Sequence, residues 1–180
     1  MFQDIRIVLI NTSHSGNIGS AARAMKTMGL TDLVLVDPVD FDPKHPTEVS
    51  VSMATGAASL MCDARVVSTF SEAIEDVSIV LGASARSRHI PWPLMHPRAA
   101  AGKAIDVLKN KKKVALVFGR ERTGLTNEEL SMCQVHVHIP TNEEFSSLNV
   151  ASAVQVLAYE MRMAVLAATG KLEADYSGDW

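Results

Sequence analysis

The sequence predicts an α/β domain: a mainly parallel sheet, doubly wound, with helices on both faces. Short apolar, β-branched runs recur along the chain, helix-length stretches separate them, and the runs are continuous instead of alternating, as in strands buried on both sides. Residues 5–10 (IRIVLI) read as the first strand, followed by polar, Gly-containing Asn11 to Gly19 and a helix to Met28 that Gly29 can stop. Leu33 to Val36 is a second strand ending at Asp37-Pro38, with further strands expected near 65–68, 77–82, 114–118 and 135–139. Thr126-Asn127-Glu128-Glu129 is a capping box opening a short helix. The last long helix is expected over Val150 to Ala168, with Gly170 as its stop.

The 180 residues, 47% of them hydrophobic, suit one domain, read as residues 1–170. No apolar run approaches the ~20 residues of a bilayer span, so no membrane segment is expected. Cys62 and Cys133 are too few for a disulfide framework, and the start lacks a signal-peptide pattern. Both point to a reduced, cytoplasmic protein. A net charge of −3 and a pI near 6.1 count against a strongly basic nucleic-acid binder. Positive charge is nevertheless clustered at Arg86 to His89, at Lys109 to Lys113 and at Arg120/Arg122. The last helix is apolar on most sides, with Val156, Ala158, Ala164 and Val165 outside its main stripe, which predicts burial or a second subunit; a homodimer is expected. The polar tail, 171–180, reads as a frayed end or the start of a linker.

Three segments carry candidate chemistry. Asn17-Ile18-Gly19-Ser20-Ala21-Ala22-Arg23 stands where the first strand passes to its helix, with Gly16 and Gly19 expected to allow a tight turn and helix amides available to an anion. A Rossmann loop of an NAD-dependent oxidoreductase competes with this reading, because Asp37 stands where a ribose-binding acid would. The G-x-x-G spacing opposes it. The second segment, Val117 to Leu125 (VFGRERTGL), is a glycine-bracketed loop in which Gly119 suits close approach to a ligand. The third is Ile139-Pro140-Thr141 followed by Phe145-Ser146-Ser147-Leu148-Asn149, where Ser147 or Asn149 is a ready helix cap.

In this order and spacing the segments resemble the three signature motifs of the TrmH-like methyltransferases of the SPOUT superfamily: N-x-G-x-x-x-R, G-x-E-x-x-G-L, and I-P followed by S-S-L-N. With Ala83 to Arg88 and Trp92-Pro93, the resemblance runs from Ile5 to about Ala168. It implies a C-terminal trefoil knot and a homodimer with its active site at the interface. It also implies an S-adenosylmethionine pocket lined by Ala83, Ser84, Ala85, Gly119, Ile139, Ser146, Ser147 and Leu148, with Leu81, Ile139 and Leu148 flanking the adenine. The implied reaction is 2′-O-methylation of a pyrimidine ribose at position 32 of the tRNA anticodon loop. Arg23 would be the catalytic residue, Arg86 and Arg88 would hold RNA phosphates, Arg120 would serve RNA or the loop, and Glu121, Ser146 and Asn149 would support loop geometry. The same branch carries a C-terminal extension that helps grip tRNA, so the tail is expected to lead toward one absent from this sequence. A knotted RNA-binding protein without catalysis is a further rival, which retention of Arg23 opposes.

Cys133, His136 and His138 resemble a zinc set, but Val135, Val137 and Ile139 alternate with the histidines, so a strand with one polar face explains them without metal. Gly82-Ala83-Ser84-Ala85-Arg86 lacks the second glycine of a hydrolase nucleophile elbow.

Overall fold

The computed structural model describes residues 1–84 and 94–172. Its strands are β1 (Ile5–Ile10), β2 (Asp32–Val36), β3 (Arg65–Val67), β4 (Val77–Ala83), β5 (Leu94–Met95), β6 (Lys113–Phe118) and β7 (Val135–Val137). They form one seven-stranded sheet in the order β3-β2-β1-β6-β4-β7-β5. Every pairing between these strands is parallel. All six residues of β1 are buried, because β2 and β6 flank it and helices cover both its faces.

Alternate residues feed two cores. Ile5, Ile7, Leu9, Leu35, Leu116 and Phe118 face the larger layer, built from α1 (Ser15–Thr27), α2 (Glu48–Ala54), α3 (Ala58–Cys62), α5 (Pro97–Lys109) and α7 (Val150–Ala168). Val8, Ile10, Val34, Val80 and Val117 face the thinner layer of α4 (Phe70–Ile74) and α6 (Asn127–Ser131). The expected helix signals act as read. Gly29 at φ +77 ends α1 while the Leu30 amide donates to Met25 O. Thr126 and Glu129 exchange both bonds of the capping box. β5 has no counterpart among the expected strands, being two residues long and recruited to the sheet edge only by β7.

By length and composition alone α7 is long and apolar enough to cross a membrane, although Glu160 and Arg162 interrupt its apolar run. Here it packs against α1 and α5. Arg162 donates to Met28 O at 3.0 Å and Glu160 accepts from Arg98 at 3.4 Å.

The amino edge of the sheet holds an ion cluster remote from the motifs. Arg6, 4% exposed, donates to Asp76, to Asp32 at 2.9 Å and to Ala73 O at 2.8 Å, and Lys113 also reaches Asp76. Its hydrogen bond from Arg6 chiefly, and then that from Lys113, hold the Asp76 carboxyl well below the usual range. Asp76→Ala would strand a buried guanidinium on one remaining carboxylate. The expected cost is about 2 kcal/mol, under the 3–5 typical of a fully buried pair because Asp76 is half-exposed. Urea unfolding at neutral pH checks this, and an unchanged midpoint would contradict it.

Candidate active site

The second and third motifs lie on loops leaving the carboxyl edge of the sheet, where open parallel sheets bind ligands, and the first lies in α1, which the chain enters from the loop after β1. Residues 11–14 follow β1, Ser84 follows β4, 119–126 follow β6 and 138–149 follow β7.

The first motif is built differently from its expected form. Gly16 and Gly19 lie within α1 and make no turn. Gly19 is required by α2, since a Cβ there would stand 2.1 Å from Ser50 O and 2.9 Å from Ala54 N. The amides at the mouth of α1 do bind an anion, but it is the chain's own Glu121. Ser13 N and His14 N donate to Glu121 Oε1 at 3.0 and 3.1 Å, Ser13 Oγ to Oε2 at 2.9 Å and Asn17 Nδ2 to Oε1 at 3.3 Å. These amides, just ahead of the first helical residue Ser15, are thus taken by a carboxylate of the chain itself. Asp37, in turn, takes the Asn11 amide on its carbonyl oxygen at 2.9 Å.

A single polar chain joins all three motifs. From Glu121 it passes to Asn17, whose Oδ1 accepts from Asn149 Nδ2 at 2.9 Å, and Asn149 Oδ1 caps α7 by accepting from Ala151 N and Ser152 N. The helix cap is therefore Asn149, not Ser147. Partial burial works to raise the Glu121 carboxyl, but amide, Asn17 and Ser13 donors outweigh it and leave it below the ordinary glutamate value. Such a group contributes stability above its unfolded pKa, about 4.3, which is lost as pH falls through the lower folded value. Glu121→Gln is thus expected to be less stable at pH 7 and to show a flatter stability profile below about pH 4.5. Denaturant unfolding across that window tests it; parallel profiles would contradict the assignment.

The loop after β6 is braced from within. Arg120 donates to both Glu129 oxygens, at 2.9 and 3.1 Å, and to Asn11 Oδ1, so its guanidinium supports the loop. Arg120 and Gly124 exchange backbone bonds, and a Cβ on Gly119 would lie 2.2 Å from Gly124 C and 2.3 Å from Leu125 N. The close approach that Gly119 allows is therefore of the loop onto itself.

These loops enclose a pocket of about 190 Å³. That is room for a heterocyclic ring system and less than the roughly 300–1,000 Å³ of whole-ligand cavities. Of the cofactor candidates, Ala83, Ser84, Gly119, Ile139, Ser146, Ser147 and Leu148 all line it, beside Arg120 and Glu121. Ala85, Arg86 and Arg88, with Trp92 and Pro93, lie outside the described residues. Leu81 is core, 1% exposed, and not part of the wall. The apolar wall includes Leu125, the last residue of the second motif, and also Val137 and Val150, which sequence reading missed because their only local signal is that of core residues.

Arg23 lies elsewhere. It is exposed on α1, six residues past Asn17 or about 9 Å along the axis, and opens on a separate groove between α1, α2 and the start of α7. Asn17 and Asn149 line that groove too, so the polar chain from Glu121 ends there.

The polar face expected for β7 is not observed. All three of its residues are buried, because β4 and β5 flank it. His136 Nε2 meets Leu130 O at 2.9 Å, and His138 Nδ1 meets Ser84 O at 3.3 Å. Burial, aided by the Glu129 charge, pushes the Cys133 thiol up to about 12.

A parallel α/β sheet whose carboxyl-edge loops interlock around one pocket, beside a groove bearing the Arg23 guanidinium, defines the class: an α/β enzyme domain with a ligand site at the strand ends. The chain belongs to the SpoU rRNA methylase family, whose profile matches residues 4–159. Among its relatives is the tRNA (cytidine/uridine/adenosine-2′-O-)-methyltransferase TrmJ of Pseudomonas aeruginosa, 58% identical over 171 residues, which are 95% of this chain and 65% of that protein. The chain thus spans about two thirds of that relative's length. A probable methylase family protein from Haemophilus influenzae Rd KW20 superposes with a TM-score of 0.85 at 54% identity, over 99% of this chain and 73% of that one. TrmJ from Z. mobilis ZM4 follows at 0.79 and 37%, over 87% and 67%.

Proposed function

We propose that this chain is an S-adenosylmethionine-dependent methyltransferase acting on a ribose 2′-hydroxyl of tRNA, at a pyrimidine in position 32 of the anticodon loop, with residues 1–170 as the catalytic domain. The observation that carries the reading is the polar chain Glu121, Asn17, Asn149, which locks the family's three motifs around one pocket. The names of the Pseudomonas and Z. mobilis relatives support the substrate class. The Pseudomonas name extends the base range to adenosine.

The residues present fit the cofactor. Leu125, Ile139 and Leu148 offer apolar walls to an adenine, while Ser84, Thr141, Ser146 and the loop amides offer bonds to its edge and ribose. When bound, S-adenosylmethionine supplies a methyl group on a positively charged sulfur. Arg23 holds an RNA phosphate and stabilises the negative charge that develops on the 2′-oxygen. Its guanidinium, with a pKa above about 12, is a poor proton acceptor. Glu121 and Asn149 hold the loop geometry, and Arg86 and Arg88 contribute phosphate contacts.

The same reading includes a homodimer with the active site between subunits, supported by the half-exposed stripe Val156, Tyr159, Met163 on α7. It includes a C-terminal trefoil knot, supported by the insertion of β7 between β4 and β5, which are consecutive strands of the chain. A reducing, cytoplasmic setting suits the free thiols of Cys62 and Cys133. Calorimetry with S-adenosylhomocysteine and with NAD tests the cofactor: binding of the first alone is expected, and binding of NAD alone would overturn the reading.

A further inference from the structure

The Arg23 groove, about 640 Å³ and open to solvent, is chemically distinct from the pocket beside it. Among the described residues lining it, Arg23 is the only charged one, and no carboxylate is present. Three helices bring uncharged hydrogen-bonding groups to its walls: Ser20 from α1, Ser52 from α2, and Ser152 and Gln155 from α7. Asn17, Thr27 and Asn149 also line it, but their side chains are spent on one another, on Ala24 O and on the α7 cap. The side chains of Ser20, Arg23, Ser52, Ser152 and Gln155 have no hydrogen-bond partner among the described residues. Ser20 and Arg23 stand three apart on α1, as do Ser152 and Gln155 on α7, so each pair presents its groups on one side of its helix.

One cation, several neutral donors and acceptors and no acid among the described lining residues, beside the apolar Ala24, Met53 and Ala151, suit a ligand with one negative charge and many hydroxyl and ester oxygens. A sugar-phosphate backbone has that chemistry. Resting on the methyltransferase reading above, we propose that Ser152 and Gln155 of α7, with Ser20 of α1, are substrate-binding residues that hold the ribose-phosphate strand flanking the nucleotide clamped by Arg23. Gln155 presents both a carbonyl and an amide, so it serves a phosphate oxygen or a 2′-hydroxyl alike. Because the contacts are to backbone, they position the strand without reading its bases.

The test uses the full chain, unmodified tRNA transcript and S-adenosylmethionine, with wild-type protein as reference. The double variant Ser152→Ala/Gln155→Ala is expected to raise KM for tRNA by about tenfold, two neutral hydrogen bonds' worth, with S-adenosylhomocysteine affinity and kcat held. Gln155→Glu sets an anion beside the phosphate and should raise KM further. Gln155→Lys should instead tighten tRNA binding and steepen its salt dependence by about 0.7–0.9 in the log–log slope. That gain is one a folding defect cannot mimic. Unchanged KM and an unchanged salt slope in all three variants, with active wild-type protein, would overturn the proposal while leaving the methyltransferase reading intact. Absence of product from the wild-type protein would count instead against that reading. A change in oligomeric state by light scattering, with tRNA affinity unaltered, would assign the groove to a second copy of the chain and overturn the proposal as well.

Discussion

Arg23→Ala is expected to lower 2′-O-methyl transfer by about a hundred- to a thousandfold, the usual consequence of removing one preorganised donor to a developing oxyanion. Stability should stay within about 0.5 kcal/mol, because Arg23 is exposed and has no hydrogen-bond or ion-pair partner among the described residues. S-adenosylhomocysteine affinity should also hold, since Arg23 does not line the cofactor pocket. The sharper variant is Arg23→Lys. It keeps the charge but replaces a planar fork with a point charge, so turnover should remain closer to the alanine variant than to wild type. Single-turnover rates at saturating tRNA separate the two, and near-normal turnover by the lysine variant would show that charge alone suffices.

Gly119→Ala is expected to abolish cofactor binding and to cost about 3 kcal/mol. The added methyl would sit 2.2–2.4 Å from the backbone of Gly124 and Leu125, atoms that no side-chain rotation can move. The loop would have to open, separating Gly119 and Leu125 from the pocket they both line and disturbing the Arg120 brace. Gly102→Ala is the matching control. Gly102 lies inside α5, and a methyl added there would meet nothing within 4 Å, so alanine should stabilise by about 0.5–1 kcal/mol through helix propensity. Thermal unfolding of the two variants should therefore move in opposite directions. Cofactor binding by Gly119→Ala at wild-type affinity would contradict the role given to this loop.

The sheet is legible because continuous apolar runs such as 5–10 and 114–118 mean burial on both faces, and the helices covering them need only be long enough to return the chain. Capping chemistry at Thr126 and Gly29 marks helix boundaries for the same local reason. What local pattern does not carry is proximity between distant segments. Nothing in residues 11–17 announces that their amides wait for a carboxylate 108 positions away at Glu121, and so the sequence points to an anion from outside the chain at this helix mouth. Gly19 reads as a turn residue for the same reason, whereas its cause is α2 packed across α1. His136 and Val137 alternate as if half-solvated, yet the short strand β5 completes the cover of β7 and buries both. Most of the pocket wall is reached through motifs; Val137 and Val150 are not, because a wall residue and a core residue look alike until the cavity between them is seen.

The most direct test of the account is nucleoside mass spectrometry of unmodified tRNA incubated with this chain and S-adenosylmethionine, with Arg23→Ala in parallel. A 2′-O-methylated nucleotide at position 32, present with the wild-type chain and lost with the variant, is the predicted result. An unmodified ribose at that position, under conditions where the chain binds both S-adenosylhomocysteine and tRNA, would contradict it.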